Sequence, residues 1–301
     1  MPRSQLCLMS IHAHPDDESS KGAGTIARYH SEGVRTVLVT CTGGEVGDIL
    51  NPAMDRPEIR EDLPAVRRRE LATAAEIIGY DEVVLFGYRD SGMPDTPDNR
   101  HPGAFANADL DEAVGRLVAL IRRERPQVII TYADDQQGYP HPDHIRVHDI
   151  SVPAFERAGD PDAYRDAGEP YQPLKLYYSV WSKQRVEGLH RRFQELGLES
   201  PFDDTWFDRP WLDDRITTEI DTASHGDVRR RALLAHETQV DPTSKFWFGL
   251  PEHEMARLNS SECYILARSL VDEPIGQVAH REDDLFAGVR DTQGAAPSSG
   301  S

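Results

Sequence analysis

His14, Asp16 and Asp17, in the run Ala13-His14-Pro15-Asp16-Asp17-Glu18, are residue types that hold a catalytic metal and move a proton beside it. A second run, Tyr139-Pro140-His141-Pro142-Asp143-His144, adds two imidazoles and a carboxylate. A catalytic zinc uses three His or carboxylate ligands and leaves a fourth position for water. His14, Asp17 and His144 make such a set, the first two brought to one point by a tight turn. Asp16 lies between them, points elsewhere, and is free to act as general base on water whose pKa the metal lowers to about 7. His141, three residues before His144 at an expected helix start, reaches the substrate carbonyl. Asp143 orients His141 or fixes its protonation, and Tyr139 donates its hydroxyl to the developing oxyanion, a contact worth about 3 kcal/mol. Each run alone has a plainer explanation, an Asx turn for the first and a helix cap for the second. Their chemistry depends on meeting at the ends of two parallel strands.

The flanking elements predict that meeting. Leu6–Ile11 is an apolar run ended by Pro15, and Val128–Thr131 is another that precedes the second cluster. Between them, helix is expected over 20–30, strand over 36–40, loop over 42–62, helix over 66–79 and strand over 83–86. An amphipathic helix follows, with Leu110, Val114, Leu117, Val118 and Ile121 on one face. A further helix starts within 141–145 and runs to Ala158. This alternation is the pattern of an α/β fold, a mostly parallel sheet covered by helices. Ligands bind at the carboxyl ends of such strands. Residues 1–160 are read as the catalytic core and 161–287 as a smaller α/β portion that completes the sheet and walls the pocket. In that portion a strand is expected over 174–180, helices near 183–197 and 223–236, and a strand over 263–266. Residues 288–301 read as a disordered tail.

Bulk composition narrows the function. With 52 acidic and 33 basic residues the net charge is −19, which argues against nucleic-acid or anionic-membrane partners. No apolar run is long enough to span a membrane, and a signal peptide is not expected. Cys7, Cys41 and Cys263 are scattered, as in a reducing, cytoplasmic protein. Gly22-Ala23-Gly24-Thr25-Ile26-Ala27 fits a dinucleotide fingerprint but starts about ten residues past the first strand, so small residues for close packing explain it better. Trp206, Trp211 and Phe246-Trp247-Phe248 either line an apolar pocket or pack a core, the commoner use. His12 is expected to face the core and His148 to lie one helical turn beyond the site.

The two clusters resemble those of the LmbE-like (PIG-L) zinc-dependent N-deacetylases, over about residues 6–290. The runs His14-Pro15-Asp16-Asp17-Glu18-Ser19-Ser20-Lys21-Gly22, Thr42-Gly43-Gly44-Glu45, Asn51-Pro52-Ala53-Met54-Asp55 and Ala235-His236-Glu237-Thr238-Gln239 are similar to the mycothiol branch. That resemblance implies a Rossmann-like fold and one Zn2+ per chain at His14, Asp17 and His144, with Fe2+ as the other candidate ion. It implies Asp16 as base, His141 and Tyr139 at the tetrahedral intermediate, and Asp143 behind His141. It also implies sugar contacts from Arg67 and Asp90, with Lys21, Glu45 and Asp48 in the same substrate region. Asp48 stands where the family more often carries Glu. The implied substrate is a small thiol–sugar conjugate, cleaved at its amide in the branch's S-conjugate amidases. Acetyl removal from N-acetylglucosaminyl-inositol is the alternative, and Lys21 with the Asn51–Asp55 run favours the amidases. Two rivals come from other classes: an iron oxygenase, whose facial triad is also two His and a carboxylate, and a sugar-binding module without catalysis. A homo-oligomer stays open.

Overall fold

The computed structural model describes residues 5–271 and 281–292, with side chains as far as 290. Strand β1 (Cys7–His12) is buried along its whole length, with Cys7, Met9 and Ile11 on one face and Leu8 beside the polar Ser10 and His12 on the other. Cys7, Met9 and Ile11 enter one core cluster and Leu8 enters another, the two-residue alternation of a strand. A one-turn helix α1 (Asp17–Ser20) and α2 (Ala23–Ser31) follow. Gly22, at φ 104°, separates them, so the helix expected over 20–30 begins at Ala23 and α1 is an additional turn before it. The chain continues through β2 (Arg35–Thr42), α3 (Pro57–Glu61), α4 (Leu63–Ile78), β3 (Glu82–Tyr88), α5 (Leu110–Glu124), β4 (Val128–Tyr132) and α6 (Pro142–Arg157). Its later part holds β5 (Lys175–Val180), α7 (Lys183–Glu195), α8 (Asp204–Phe207), β6 (Thr218–Asp221), α9 (Gly226–Ala235), α10 (Lys245–Phe248), α11 (Glu252–Leu258), β7 (Ser261–Ser269) and α12 (Val289–Thr292).

The seven strands form one sheet in the order β3-β2-β1-β4-β5-β7-β6. The first five run parallel, and β7 is antiparallel to both its neighbours. Strand order reverses between β1 and β4, where open α/β sheets place their ligand crevice. Helices α5 and α6 cover one face with Val114, Leu117, Ile121, Val147 and Ile150. Helices α2 and α9 cover the other with Ile26, Tyr29, Val228 and Ala232. Helix α5 begins where the Asp109 carboxylate accepts from the Glu112 N–H at 2.9 Å and stops at Arg125, φ 54°, ahead of Pro126.

Several elements escaped the periodicity, among them the short helices α8, α10 and α11. Strand β6, Thr-Glu-Ile-Asp, is a short edge strand carrying two charges, as edges often do. Helix α3 opens within the expected 42–62 loop, with Pro57 at its first position. The sheet crosses residue 160 without interruption, since β5 pairs with β4. In the expected tail, α12 buries Val289 in the core, and 293–301 lie outside the described residues. The segment before it is clamped by Glu282, which accepts from the fully buried Lys175 ammonium at 2.6 Å and from the Tyr177 hydroxyl at 2.8 Å. Among the described residues no helix is long and apolar enough to cross a membrane.

The glycine-rich run at the start of α2 serves packing. A Cβ on Gly24 would lie 2.8 Å from the Thr222 Cβ, just after β6. Gly24→Val should therefore destabilise the fold by about 1–3 kcal/mol. Urea unfolding measures this, and an unmoved midpoint would contradict the contact.

Candidate active site

Past β1 the chain turns at Pro15, and past β4 it loops to His141, the N-cap of α6. The two clusters thereby face each other across the reversal of strand order. His14 Nδ1 and His144 Nε2 lie 3.4 and 3.3 Å from one and the same oxygen, Asp17 Oδ2. Ligand atoms set about 2.0–2.1 Å from a tetrahedral zinc stand about 3.3–3.4 Å apart, and these two of the three spacings in the set match that value. Donor atoms of His14, His141 and His144 lie within 4.8 Å of one another, as do those of His14, Asp90, His141 and Asp143, and all these residues are buried. The structure thus holds a buried His/Asp group fit for a metal ion.

Its electrostatics point the same way. Burial opposes charge on His14, yet its bonds to Asp143, Asp17 and Asp90 hold its pKa well above the usual imidazole range. Three carboxylates turned on one imidazole make a site that favours positive charge. Asp17, despite burial, is held well below the carboxylate range by Lys21, whose ammonium donates to Oδ1 at 2.6 Å, and by His144. Burial pulls His144 and His141 down to about 4, the latter helped by the charge on His14.

The expectation that Asp143 orients His141 is corrected. Its carboxylate accepts from the Ser91 N–H at 2.9 Å and from the Ser91 hydroxyl, and lies 3.1 Å from His14 Nε2. The hydrogen bond to His141 comes from the Asp143 backbone, whose N–H donates to Nδ1 at 3.2 Å, while the carboxylate acts on that imidazole through its charge, working against the burial that lowers its pKa. The physical reason is the helix start: the N-cap imidazole folds back onto the first turn, while Asp143 within that turn points at β1. His141 is thus held neutral with Nδ1 as acceptor, which puts its proton on Nε2.

Asp16 stands at the edge of the cavity with φ 108°, a left-handed conformation costly for a residue other than glycine. Two groups hold it there. Arg67, nearly buried, donates to Asp16 Oδ2 at 3.1 Å, to the Pro15 carbonyl at 2.7 Å and to the Gly44 carbonyl. Glu18 accepts from the Asp16 N–H at 2.9 Å, and its other oxygen lies 2.6 Å from His236 Nε2. Burial, working against Arg67, pushes the Asp16 carboxyl up to about 6.

The other sequence-derived residues take distinct places. Lys21, Asp48, Arg67, Asp90 and Tyr139 line a cavity of about 610 Å³ together with the metal-site histidines. Lys21 and Arg67 are engaged with Asp17 and Asp16, as above. Asp90 lies 3.7 Å from His14 Nε2, and Glu45 stands behind it, accepting from the Asp90 N–H at 3.2 Å. Asp48 is exposed at the rim, and Tyr139 is half exposed with its hydroxyl 3.7 Å from Met93 Sδ. His12 is buried against Tyr132, and His148 Nδ1 sits 3.1 Å from the Tyr132 carbonyl, so both lie where expected.

Ser91, Glu18 and His236 had no role assigned from the sequence. Glu18 and His236 sit inside recognisable runs, but their contact spans 218 residues and no local pattern announces it. Both are fully buried. Burial opposes charge on each, yet their mutual attraction lowers Glu18 below 4.5 and raises His236 above 6.5. Glu18 stabilises the fold above its unfolded pKa, and that contribution is lost as pH falls through its lowered value. His236 contributes fully below its unfolded pKa, and that is lost as pH rises through its raised value. His236→Leu should cost about 3–5 kcal/mol in urea unfolding at pH 5.5, because Glu18 is left as an unpaired buried charge. The difference from the native chain should shrink as pH rises past neutrality, and a pH-independent difference would refute the ion pair.

Known proteins resemble the chain along most of its length. A family profile described as PIG-L, GlcNAc-PI de-N-acetylase, matches residues 9–155. The mycothiol S-conjugate amidase of Streptomyces coelicolor is 46% identical over 297 residues, covering 95% of this chain and 98% of the relative. A 1D-myo-inositol 2-acetamido-2-deoxy-alpha-D-glucopyranoside deacetylase of Streptomyces avermitilis is 40% identical, covering 94% and 97%. Among solved structures, the N,N'-diacetylchitobiose deacetylase of Pyrococcus horikoshii matches with TM-score 0.60 at 15% identity, over 87% of this chain and 84% of that one. The hydratase GalB of Pseudomonas putida also reaches 0.60, at 16% identity over 90% and 100%; at such identities the likeness is one of fold. On the strength of the full-length relatives and the geometry above, the chain belongs to the PIG-L (LmbE-like) family and is a hydrolase acting on an amide.

Proposed function

We propose that the enzyme cleaves the amide of mycothiol S-conjugates, releasing an N-acetylcysteine S-conjugate and glucosaminyl-inositol in the cytoplasm. The observation that carries this reading is the 46% identity to an S-conjugate amidase across nearly both chains, against 39% and 40% for two inositol-sugar deacetylases. The cavity is large enough for a substituted thiol as well as a sugar. Deacetylation of N-acetylglucosaminyl-inositol is the second reading, favoured by those same deacetylase relatives.

We assign one Zn2+ to His14, Asp17 and His144, with Fe2+ as the second candidate. When bound, the ion supplies Lewis-acid activation of water and of the amide carbonyl. Asp16, its carboxyl near 6, accepts the proton of the attacking water. His141 donates from Nε2 to the carbonyl oxygen as negative charge develops, and the Tyr139 hydroxyl donates from the cavity mouth. Protonated Asp16 then returns its proton to the leaving glucosamine nitrogen. Asp143 acts through His14. We assign the sugar hydroxyls to Asp48 and Asp90 on the cavity wall, with Lys21 and Arg67 beside them and Glu45 setting the Asp90 backbone.

Asp16→Asn should lower kcat by about 10²- to 10⁴-fold while metal analysis still finds close to one zinc per chain. Undiminished turnover would remove Asp16 as the base. His144→Ala should lose the metal itself. Chelation should abolish turnover and Zn2+ should restore it under strict anaerobiosis, which an oxygenase could not show. Mass spectrometry of products separates the two amide substrates: an N-acetylcysteine S-conjugate from mycothiol conjugates supports the amidase, and faster acetate release from N-acetylglucosaminyl-inositol overturns it.

A further inference from the structure

Beyond the reacting residues the cavity runs up to an aromatic wall of Trp181, Trp206, Trp211, Phe246 and Trp247. Trp181 and Phe246 stack at 5.8 Å, and Phe246 meets Trp206 at 5.3 Å and Trp247 edge-on at 4.6 Å. Part of this cluster rests on buried Val186, Phe193, Phe202 and Leu250, so pocket lining and core packing are both true of it. The wall is aromatic, with Trp181 and Phe246 stacked and Trp247 edge-on, and it is larger than an acetyl group requires.

Of three arginines close to the wall, Arg209 lines the cavity, whereas Arg185 and Arg229 touch Trp181 without being among the cavity-lining residues. The Arg209 guanidinium, which also lines the cavity, lies 3.5 Å over the Trp206 ring. Arg185 and Arg229 stand 4.8 and 5.7 Å from the Trp181 ring and donate to the same Asn259 oxygen at 2.7 and 3.0 Å. Among the described residues no carboxylate forms an ion pair with any of these three arginines. Glu262, whose charge reaches Arg185 and Arg229, spends its oxygens on the Gly24 and Thr25 N–H groups. Asp203, whose charge reaches Arg209, turns its carboxylate to Thr205. Burial lowers the pKa of all three arginines, Arg185 to about 10. The Trp211 indole N–H is buried without a hydrogen-bond partner. Arg209 lines the cavity, stacks on Trp206 and has no ion-pair partner among the described residues, so an acid carried on an aromatic ring would find a partner for both its parts.

We propose that this wall is the subsite for the sulfur-linked group and that it selects flat aromatic substituents bearing an acid. The ring lies against the tryptophans, and the acid meets Arg209. The inference rests on the amidase reading, which names the bond cut; the wall names what the sulfur carries.

Four mycothiol conjugates test it: S-methyl, S-benzyl, S-(4-carboxybenzyl) and S-(4-aminomethylbenzyl). On the native enzyme kcat/KM should rise at least about tenfold from methyl to benzyl. It should rise about tenfold again with the carboxylate and fall with the ammonium, chiefly through KM. Arg209→Gln should bring the carboxybenzyl-to-benzyl ratio to near one, and Trp206→Leu should shrink the benzyl-to-methyl ratio. Equal kcat/KM for the three benzyl conjugates on the native enzyme would overturn the proposal without reliance on any variant. Should no conjugate be cut, the amidase reading fails, and the subsite is still decided by N-acetyl-S-(4-carboxybenzyl)cysteine. Saturable quenching of tryptophan fluorescence, weakened in Arg209→Gln, sustains the subsite; its absence ends it.

Discussion

One carboxylate oxygen, Asp17 Oδ2, stands 3.4 Å from a nitrogen of His14 and 3.3 Å from a nitrogen of His144, and thereby joins the two halves of the parallel sheet. The contact is possible only because strand order reverses between β1 and β4, so that two loops distant in sequence leave adjacent strands at the same edge. Around it the chain concentrates Asp17, Asp90 and Asp143 on His14 and offsets them with one ammonium, Lys21. Such an excess of buried negative charge is costly without a cation, and the arrangement gains its stability from whatever positive charge it holds. Asp143 is itself fixed by Ser91 after β3, so a third strand end enters the site. The chain of support runs strand, carboxylate, imidazole, and each link determines the tautomer and direction of the next.

The later part of the chain works on the same site from the other side. The turn after α9 delivers His236 to Glu18, and Glu18 holds the backbone of Asp16. That turn is in its turn anchored twice: Glu70 of α4 accepts from the Thr238 N–H at 2.8 Å, and the Asn51 amide donates to the Glu237 carbonyl at 2.9 Å. The Asn51–Asp55 and Ala235–Gln239 runs, which look unrelated in sequence, are therefore one piece of structure. A left-handed aspartate is a poor local choice, and it persists because burial, an ion pair and Arg67 over-determine it.

Legibility followed range. The parallel strands and helices α5 and α6 could be read because their apolar spacing is local and strong, and the histidines and aspartates that meet at the sheet edge because such residue types are rare at that spacing. Strand β6 could not, because four residues with two charges at a sheet edge carry no periodicity. The orientation of Asp143 was misjudged since neighbours in sequence point different ways across a helix cap, where i and i+2 do not face each other. Glu18–His236 and the Arg185–Asn259–Arg229 cluster were invisible, as contacts between distant segments leave no trace in a single chain. The aromatic residues were visible but ambiguous: tryptophans in a wall and in a core have the same composition, and only the cavity beside them distinguishes the two.

This division has a consequence for how one fold serves different substrates. Every group assigned here to bond cleavage lies before residue 145, on the parallel half of the sheet, where a carbonyl, a water and a proton are handled in one geometry. The wall residues begin at Trp181 and come from short helices and turns beyond β5, elements held by aromatic packing more than by the sheet. Such segments can change length and composition without disturbing Asp17 or Asp16, because only His236 and its anchors must stay in place. An amidase and a deacetylase need the same attack on an amide carbonyl; what separates them is the volume and charge that receive the acyl group. On the amidase reading proposed above, the surface that receives the acyl group in this chain is the aromatic wall with Arg209 stacked on Trp206.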